Sequence, residues 1–205
     1  MQLLSAKERY YVYASRYGSG PASDQENIYG SFSPGGKGTL FPHHQQWRSG
    51  ELDILTFREE DNSLIGFSIN ASEADLVLID YLAISPAVRG GGYGSKALEL
   101  MHLYYLGKRI FLIIEHPDME ADNAEQRSKR KRFYLRNGYA DSGLRINGVE
   151  GRMELLVYVG NQAAAGHADS SIVTGKEFIR MQRKSLGGLL MWLGHIHVEK
   201  PRRNK

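Results

Sequence analysis

The chain's chemistry is most legible in the segment Arg89-Gly90-Gly91-Gly92-Tyr93-Gly94. It follows a long apolar run, 76–84, and precedes residues 95–106, where Leu98, Met101 and Tyr105 stand at helical spacing. Three successive glycines thus sit at a strand-to-helix turn. Such a turn suits a phosphate: glycine lets the backbone come close, its amides point inward, and the start of a helix adds partial positive charge. The spacing excludes the better-known phosphate loops. Gly-x-x-x-x-Gly-Lys-Ser/Thr is absent, and Gly90-x-Gly92-x-x-Ser95 lacks the third glycine of a dinucleotide fingerprint, although Glu115 could pass for its acidic residue. Glycines alone would also make a merely permissive turn, so the surrounding pattern has to decide.

The elements that must position this loop follow from periodicity and punctuation. Residues 52–57 and 64–69, joined by the turn-like Glu59-Glu60-Asp61-Asn62-Ser63, read as an antiparallel hairpin. The run 76–84 is long and apolar enough for a central strand buried on both faces, with Asp80 its one discordant residue, and Ser85-Pro86 ends it. A second buried strand spans 109–115. The helix after it has Asp122 to cap it, Glu125 three residues on, and Asn137-Gly138 to stop it. A further strand is expected at 151–159, a small-residue linker at 161–171, and a helix opened by the capping box Thr174 with Glu177 and running to about residue 184. Residues 17–38 read as loop, and the apolar run 186–193 is too short to cross a bilayer.

Composition sets the outer bounds. The 205 residues are 41% hydrophobic and 24% charged, enough to bury one ordinary core. With no cysteine, disulfides, thiolate metal sites and a cysteine nucleophile are excluded. The N-terminal residues lack the apolar stretch of a signal peptide, and a soluble cytoplasmic chain is expected. A net charge of +3 suits anionic ligands without demanding nucleic acid.

At this point Leu82-Ala83-Ile84-Ser85-Pro86-Ala87-Val88-Arg89-Gly90-Gly91-Gly92-Tyr93-Gly94 resembles the acyl-CoA signature of the GNAT superfamily of N-acetyltransferases, Gln/Arg-x-x-Gly-x-Gly/Ala, with Arg89, Gly92 and Gly94 at its fixed positions. Phe133-Tyr134-Leu135-Arg136-Asn137-Gly138-Tyr139 resembles the family's second element, Phe/Leu-Tyr-x-x-x-Gly-Phe/Tyr. Two motifs in the right order are more specific than either alone, and the likeness covers about residues 51–160. It implies an α/β fold with a mixed, centrally splayed sheet flanked by helices. Residues 1–160 would be the core, with 1–50 on the acceptor side, and 161–205 a linker and C-terminal helical extension of the same domain.

The resemblance also implies roles. Acetyl-CoA would be the cofactor, its pantetheine arm lying on Leu82, Ala83 and Ile84 and its pyrophosphate on the amides of Arg89, Gly90, Gly91, Gly92, Tyr93, Gly94 and Ser95. The Arg89 side chain or the run Arg127-Ser128-Lys129-Arg130-Lys131-Arg132 would meet outer phosphates, though that run reads more readily as a solvated helix face. Tyr134 would be the general acid for the departing thiolate and Ile84 N–H the oxyanion contact. Asp80 or Glu115 would be the general base, with a backbone-capping role or an ion pair as their structural alternatives. One departure stands out: many relatives carry Asn at the position of Arg127, and Asn123 is the residue that could substitute for it.

The function so implied is acetyl transfer from acetyl-CoA to a primary amine, small molecule or peptide, in a ternary complex. The alternative is a non-catalytic acyl-CoA-binding regulatory module. His43 and His44, beside Phe41, Pro42 and Trp47, would line an acceptor pocket. His195 and His197 lack a third metal ligand at sensible spacing, so no metal is expected. A nucleic-acid role for the basic tail ranks last, no membrane is implied, and apolar residues near the C-terminal end would support a homodimer.

Overall fold

The computed structural model describes residues 3–6, 10–16, 52–118, 120–148, 151–160, 173–183 and 197–199. The expected loop 17–38, the stretch holding His43, His44 and Trp47, the linker 161–171, the apolar run 186–193 and His195 lie outside them. The architecture is α/β, as expected. The chain gathers into two compact units, Met1–Ser72 with Ile79–Leu106, and Glu73–Leu78 with Gly107–Lys205.

In the first unit, β1 (Leu3–Ala6), β2 (Tyr10–Arg16), β3 (Leu52–Glu59) and β4 (Leu64–Glu73) pair antiparallel in sequence order. The β3–β4 turn is closed by Asn62, whose φ of 68° lies where Asn is better tolerated than most residues. Arg58 Nη1 donates to its carbonyl at 2.8 Å. Next to β4 comes β5 (Leu76–Ile84), whose last six residues belong to this unit. A 3-10 turn (Pro86–Val88) leads from it to α1 (Tyr93–Tyr104). The helix buries Ala97, Leu98, Leu100 and Met101, the i, i+3, i+4 stripe of a docked face. Two tyrosines tie this segment to β3: Tyr93 donates to Glu59 Oε1 at 2.6 Å and Tyr105 to Asp53 Oδ2 at 3.2 Å.

In the second unit, β6 (Arg109–Glu115), β8 (Gly151–Tyr158), β7 (Tyr139–Gly148) and β9 (His197–Glu199) lie side by side in that order, all antiparallel. Residues 155–157 are fully buried, as are Phe111 and Phe178. α2 (Ala124–Arg136) follows β6, and α3 (Gly175–Gln182) packs Phe178 against Phe111 at 6.5 Å between ring centroids. The capping box that opens α3 is formed on both sides: Glu177 N donates to Thr174 Oγ1 and Thr174 N to Glu177 Oε2. Arg109 fixes the helix further, reaching Asp75 Oδ2 at 2.8 Å and Glu177 Oε1 at 2.7 Å.

Two local expectations are corrected. The cap of α2 is Asn123, not Asp122, and its side chain makes no capping bond; Asn123 Oδ1 instead accepts Arg127 Nε at 2.6 Å, a charge-assisted bond that outcompetes a neutral amide. The strand β7 has no counterpart in the sequence reading, because Asp141, Ser142, Gly143 and Asn147 are turn-forming residues. Gly143 sits at φ 76° where the β7–β8 register shifts between Asp141 and Arg145, so these residues make a bulge inside a strand.

Candidate functional site

The first unit carries the glycine turn. Residues 76–79 of β5 are buried, and every residue from 80 to 85 is only half-buried. The cover over the strand thins where Asp80, Leu82, Ala83 and Ile84 lie. Ser85 N–H turns toward β4 and donates to Ile65 O at 2.7 Å. Successive peptide groups point to opposite edges of a strand, so Ile84 N–H turns away from β4. On that far edge Arg89 Nε donates to Ile84 O at 3.0 Å, so part of the Arg89 guanidinium holds backbone. β4 comes close on the near edge because Gly66 has no side chain. A Cβ there would collide with Ala83 O and come within 2.9 Å of Ile84 Cδ1.

The turn itself is built on left-handed glycines. Gly92, at φ 83°, is the N-cap of α1, and Gly90 has φ 88°. Arg89 N and Gly91 N bond back within the turn, to Pro86 O and Val88 O, while Lys96 N takes Gly92 O. The first helical turn leaves the Gly94 and Ser95 amides without an intrahelical acceptor. Above Gly90 and Gly92 a Cβ would meet nothing within 4 Å, and both residues are exposed. The result is an open amide surface at a helix start, a donor set that fits a diphosphate.

Glu115, Asn123, Arg127 and Tyr134 lie in the second unit. Three of these are brought together. Glu115 Oε1 faces Arg127 Nη2 at 3.1 Å and its Oε2 faces Arg130 Nη1 at 2.6 Å, while Arg127 also holds Asn123 Oδ1. The basic run is thus largely an anchoring face. Arg127 and Arg130 take Glu115 and Lys131 takes Glu154 Oε2 at 2.6 Å, while Lys129 pairs only with exposed Glu125 of its own helix.

Tyr134 is 9% exposed, its ring edge-on to Phe133 at 5.1 Å and to Tyr139 at 5.5 Å. Burial pushes its phenol up to about 12, with the Arg130 charge opposing the rise. Its hydroxyl makes no hydrogen bond with the described residues.

Sequence reasoning passed over His116, the residue after β6. Its Nδ1 lies 2.7 Å from Glu154 Oε1 on β8. No local signal joins the two, which stand 38 residues apart. Among the described residues no group of three or more His, Asp or Glu could hold a metal ion, and no helix is long and apolar enough to cross a membrane.

The fold is that of the GNAT acetyltransferases. A GNAT family acetyltransferase from Elizabethkingia anophelis with acetyl-CoA bound matches 74% of this chain and 99% of its own, at a TM-score of 0.50 and 12% identity. An IAA acetyltransferase from Bacillus cereus matches 73% of this chain and 98% of its own, at a TM-score of 0.51 and 10% identity. No family model and no curated protein matches the sequence.

Proposed function

We propose that this chain is an acetyl-CoA-dependent N-acetyltransferase that moves an acetyl group to a primary amine by direct transfer in a ternary complex. The observation that carries the reading is the turn 89–94: left-handed Gly90 and Gly92 open an amide surface at the start of α1, directly after a strand whose last residues are only half-covered. The turn would hold the diphosphate, and Leu82, Ala83 and Ile84 the pantetheine arm. When bound, acetyl-CoA supplies an activated acyl carbon.

The chain's own residues do the rest. Ile84 N–H, turned away from β4, donates to the developing oxyanion. Tyr134, whose proton is retained up to about pH 12, protonates the departing sulfur. The new N–C bond forms as the C–S bond breaks, and the proton shed by nitrogen restores the phenol. Asp80, on β5, takes a proton from R–NH3+, directly or through water, leaving the R–NH2 whose lone pair attacks. Glu115, the other candidate base, is held by Arg127 and Arg130 of α2.

Calorimetry with coenzyme A and thiol release from acetyl-CoA over a panel of primary amines test the reading together. Binding with amine-dependent thiol release is the expected result. Absence of coenzyme A binding overturns it, and binding without turnover on any amine assigns the chain to the non-catalytic module instead.

A further inference from the structure

We propose that Tyr93 and Glu59 form a strut that holds the glycine turn in its open shape before the cofactor arrives, and that Gly91 is glycine to make room for it. This rests on the coenzyme A-binding part of the reading above and names positioning residues that it leaves open. Tyr93 is the first residue of α1 and follows the turn directly. Its hydroxyl donates to Glu59 Oε1 at 2.6 Å, the short length of an O–H donating to a carboxylate. Both residues are half-buried, and both belong to the first unit. Glu59 is itself well anchored at the end of β3: its N–H donates to Ser63 O at 3.1 Å, its carbonyl accepts Asn62 N at 2.9 Å, and Ser63 Oγ reaches its Oε2 at 3.4 Å.

The turn has little of its own to hold it. Its internal bonds, Arg89 N to Pro86 O and Gly91 N to Val88 O, are 3.5 and 3.4 Å long, at the weak end of the range. The strut instead ties the helix start to the rim of the sheet, where the β3–β4 turn fixes Glu59. Gly91 fits the same device. Unlike Gly90 and Gly92 it does not stand at a positive φ, so its backbone does not require glycine. The Tyr93 ring does. A Cβ on Gly91 would come within 2.9 Å of Tyr93 Cε2 and 3.1 Å of its Cδ2, so an alanine there displaces the ring and draws its hydroxyl away from Glu59. Without the strut the turn would sample other shapes, and ordering it would weaken cofactor binding.

Calorimetry with coenzyme A on the full chain tests the strut, with thermal melts of each variant alongside. Tyr93→Phe keeps the ring, removes the hydroxyl, and should weaken affinity about tenfold, the worth of one hydrogen bond to a charged group. Glu59→Leu and Glu59→Gln both remove the charge, but only Gln keeps an acceptor for the phenol. Leu should lose about as much as Tyr93→Phe, and Gln should recover most of it. Tyr93→Phe combined with Glu59→Leu should lose no more than either alone, and Gly91→Ala, costly by itself, should cost less than about twofold when added to Tyr93→Phe. Gly91→Ala at wild-type affinity overturns the part given to glycine. Lowered melting temperatures with wild-type affinity in both Tyr93→Phe and Glu59→Leu would mean a role in folding only, and overturn the strut while the parent reading stands. A wild type that does not bind coenzyme A overturns the parent reading, and the strut's role with it.

Discussion

The Tyr134 ring stands edge-on to Tyr139, 5.5 Å apart at 71°, so the proposed acid is held by aromatic packing. Tyr134→Phe keeps that packing and removes only the hydroxyl. We expect kcat to fall by about 10²-fold or more in a thiol-release assay, with coenzyme A affinity unchanged by calorimetry. The sign of the alkaline effect follows from burial. A phenol raised from 10 to about 12 contributes stability fully present below pH 10 and lost as pH climbs toward 12. The loss assigned to Tyr134 is roughly 3 kcal/mol across that window. Denaturant titrations at pH 9 and 11.5 should show a smaller drop for Tyr134→Phe than for wild type.

Gly92→Ala probes the amide surface. At φ 83° an alanine is strained by about 1–2 kcal/mol, although space above it is open. The new methyl also stands where the diphosphate would lie. Coenzyme A affinity should weaken at least tenfold while the melting temperature drops by only a few degrees. Unchanged affinity would remove the turn from the cofactor site.

Lys131→Met separates an anchoring face from a solvated one. Glu154 is 1% exposed and Lys131 is its closest cation, at 2.6 Å. Removing it leaves buried Glu154 with His116 at 2.7 Å and Arg145 at 3.6 Å, so the loss should be about 1–3 kcal/mol, the cost of a charge short of one partner. Arg132→Met, on an exposed residue of the same helix, should cost less than about 0.5 kcal/mol. Equal effects in thermal unfolding would refute the distinction.

What was legible in the sequence was what local rules control. β5 and β6 fall at 76–84 and 109–115 as read, since apolar runs end where proline or charge intrudes, but β5 is buried only over 76–79 and half-covered from Asp80 on, not buried on both faces throughout. The Thr174–Glu177 box was legible because a cap needs only two residues at fixed spacing. α1 starts at Tyr93 rather than Ser95, since left-handed Gly92 turns the chain straight into the helix. β7 was not legible: Ala140, Ser142, Leu144 and Ile146 alternate inward, but Gly143 and the bulge break the pattern in its middle. Nor was the His116–Glu154 contact, which exists only once β6 pairs with β8.

Glu177 serves two partners, and its titration shows what they contribute. Hydrogen bonding from Arg109 is the largest cause holding its carboxyl down to about 2, aided by the Thr174 amide and hydroxyl. A depressed carboxyl contributes stability present above its ordinary value of 4.5 and lost as pH falls toward 2. The group is near the surface, so solvent screening leaves about 1–2 kcal/mol. Glu177→Gln should lose that amount at pH 7, and its unfolding curve should approach wild type as pH falls to about 2, where the folded-state carboxyl takes up its proton. A gap in denaturant midpoint that persists unchanged at pH 2 would assign the loss to packing of Phe178 instead.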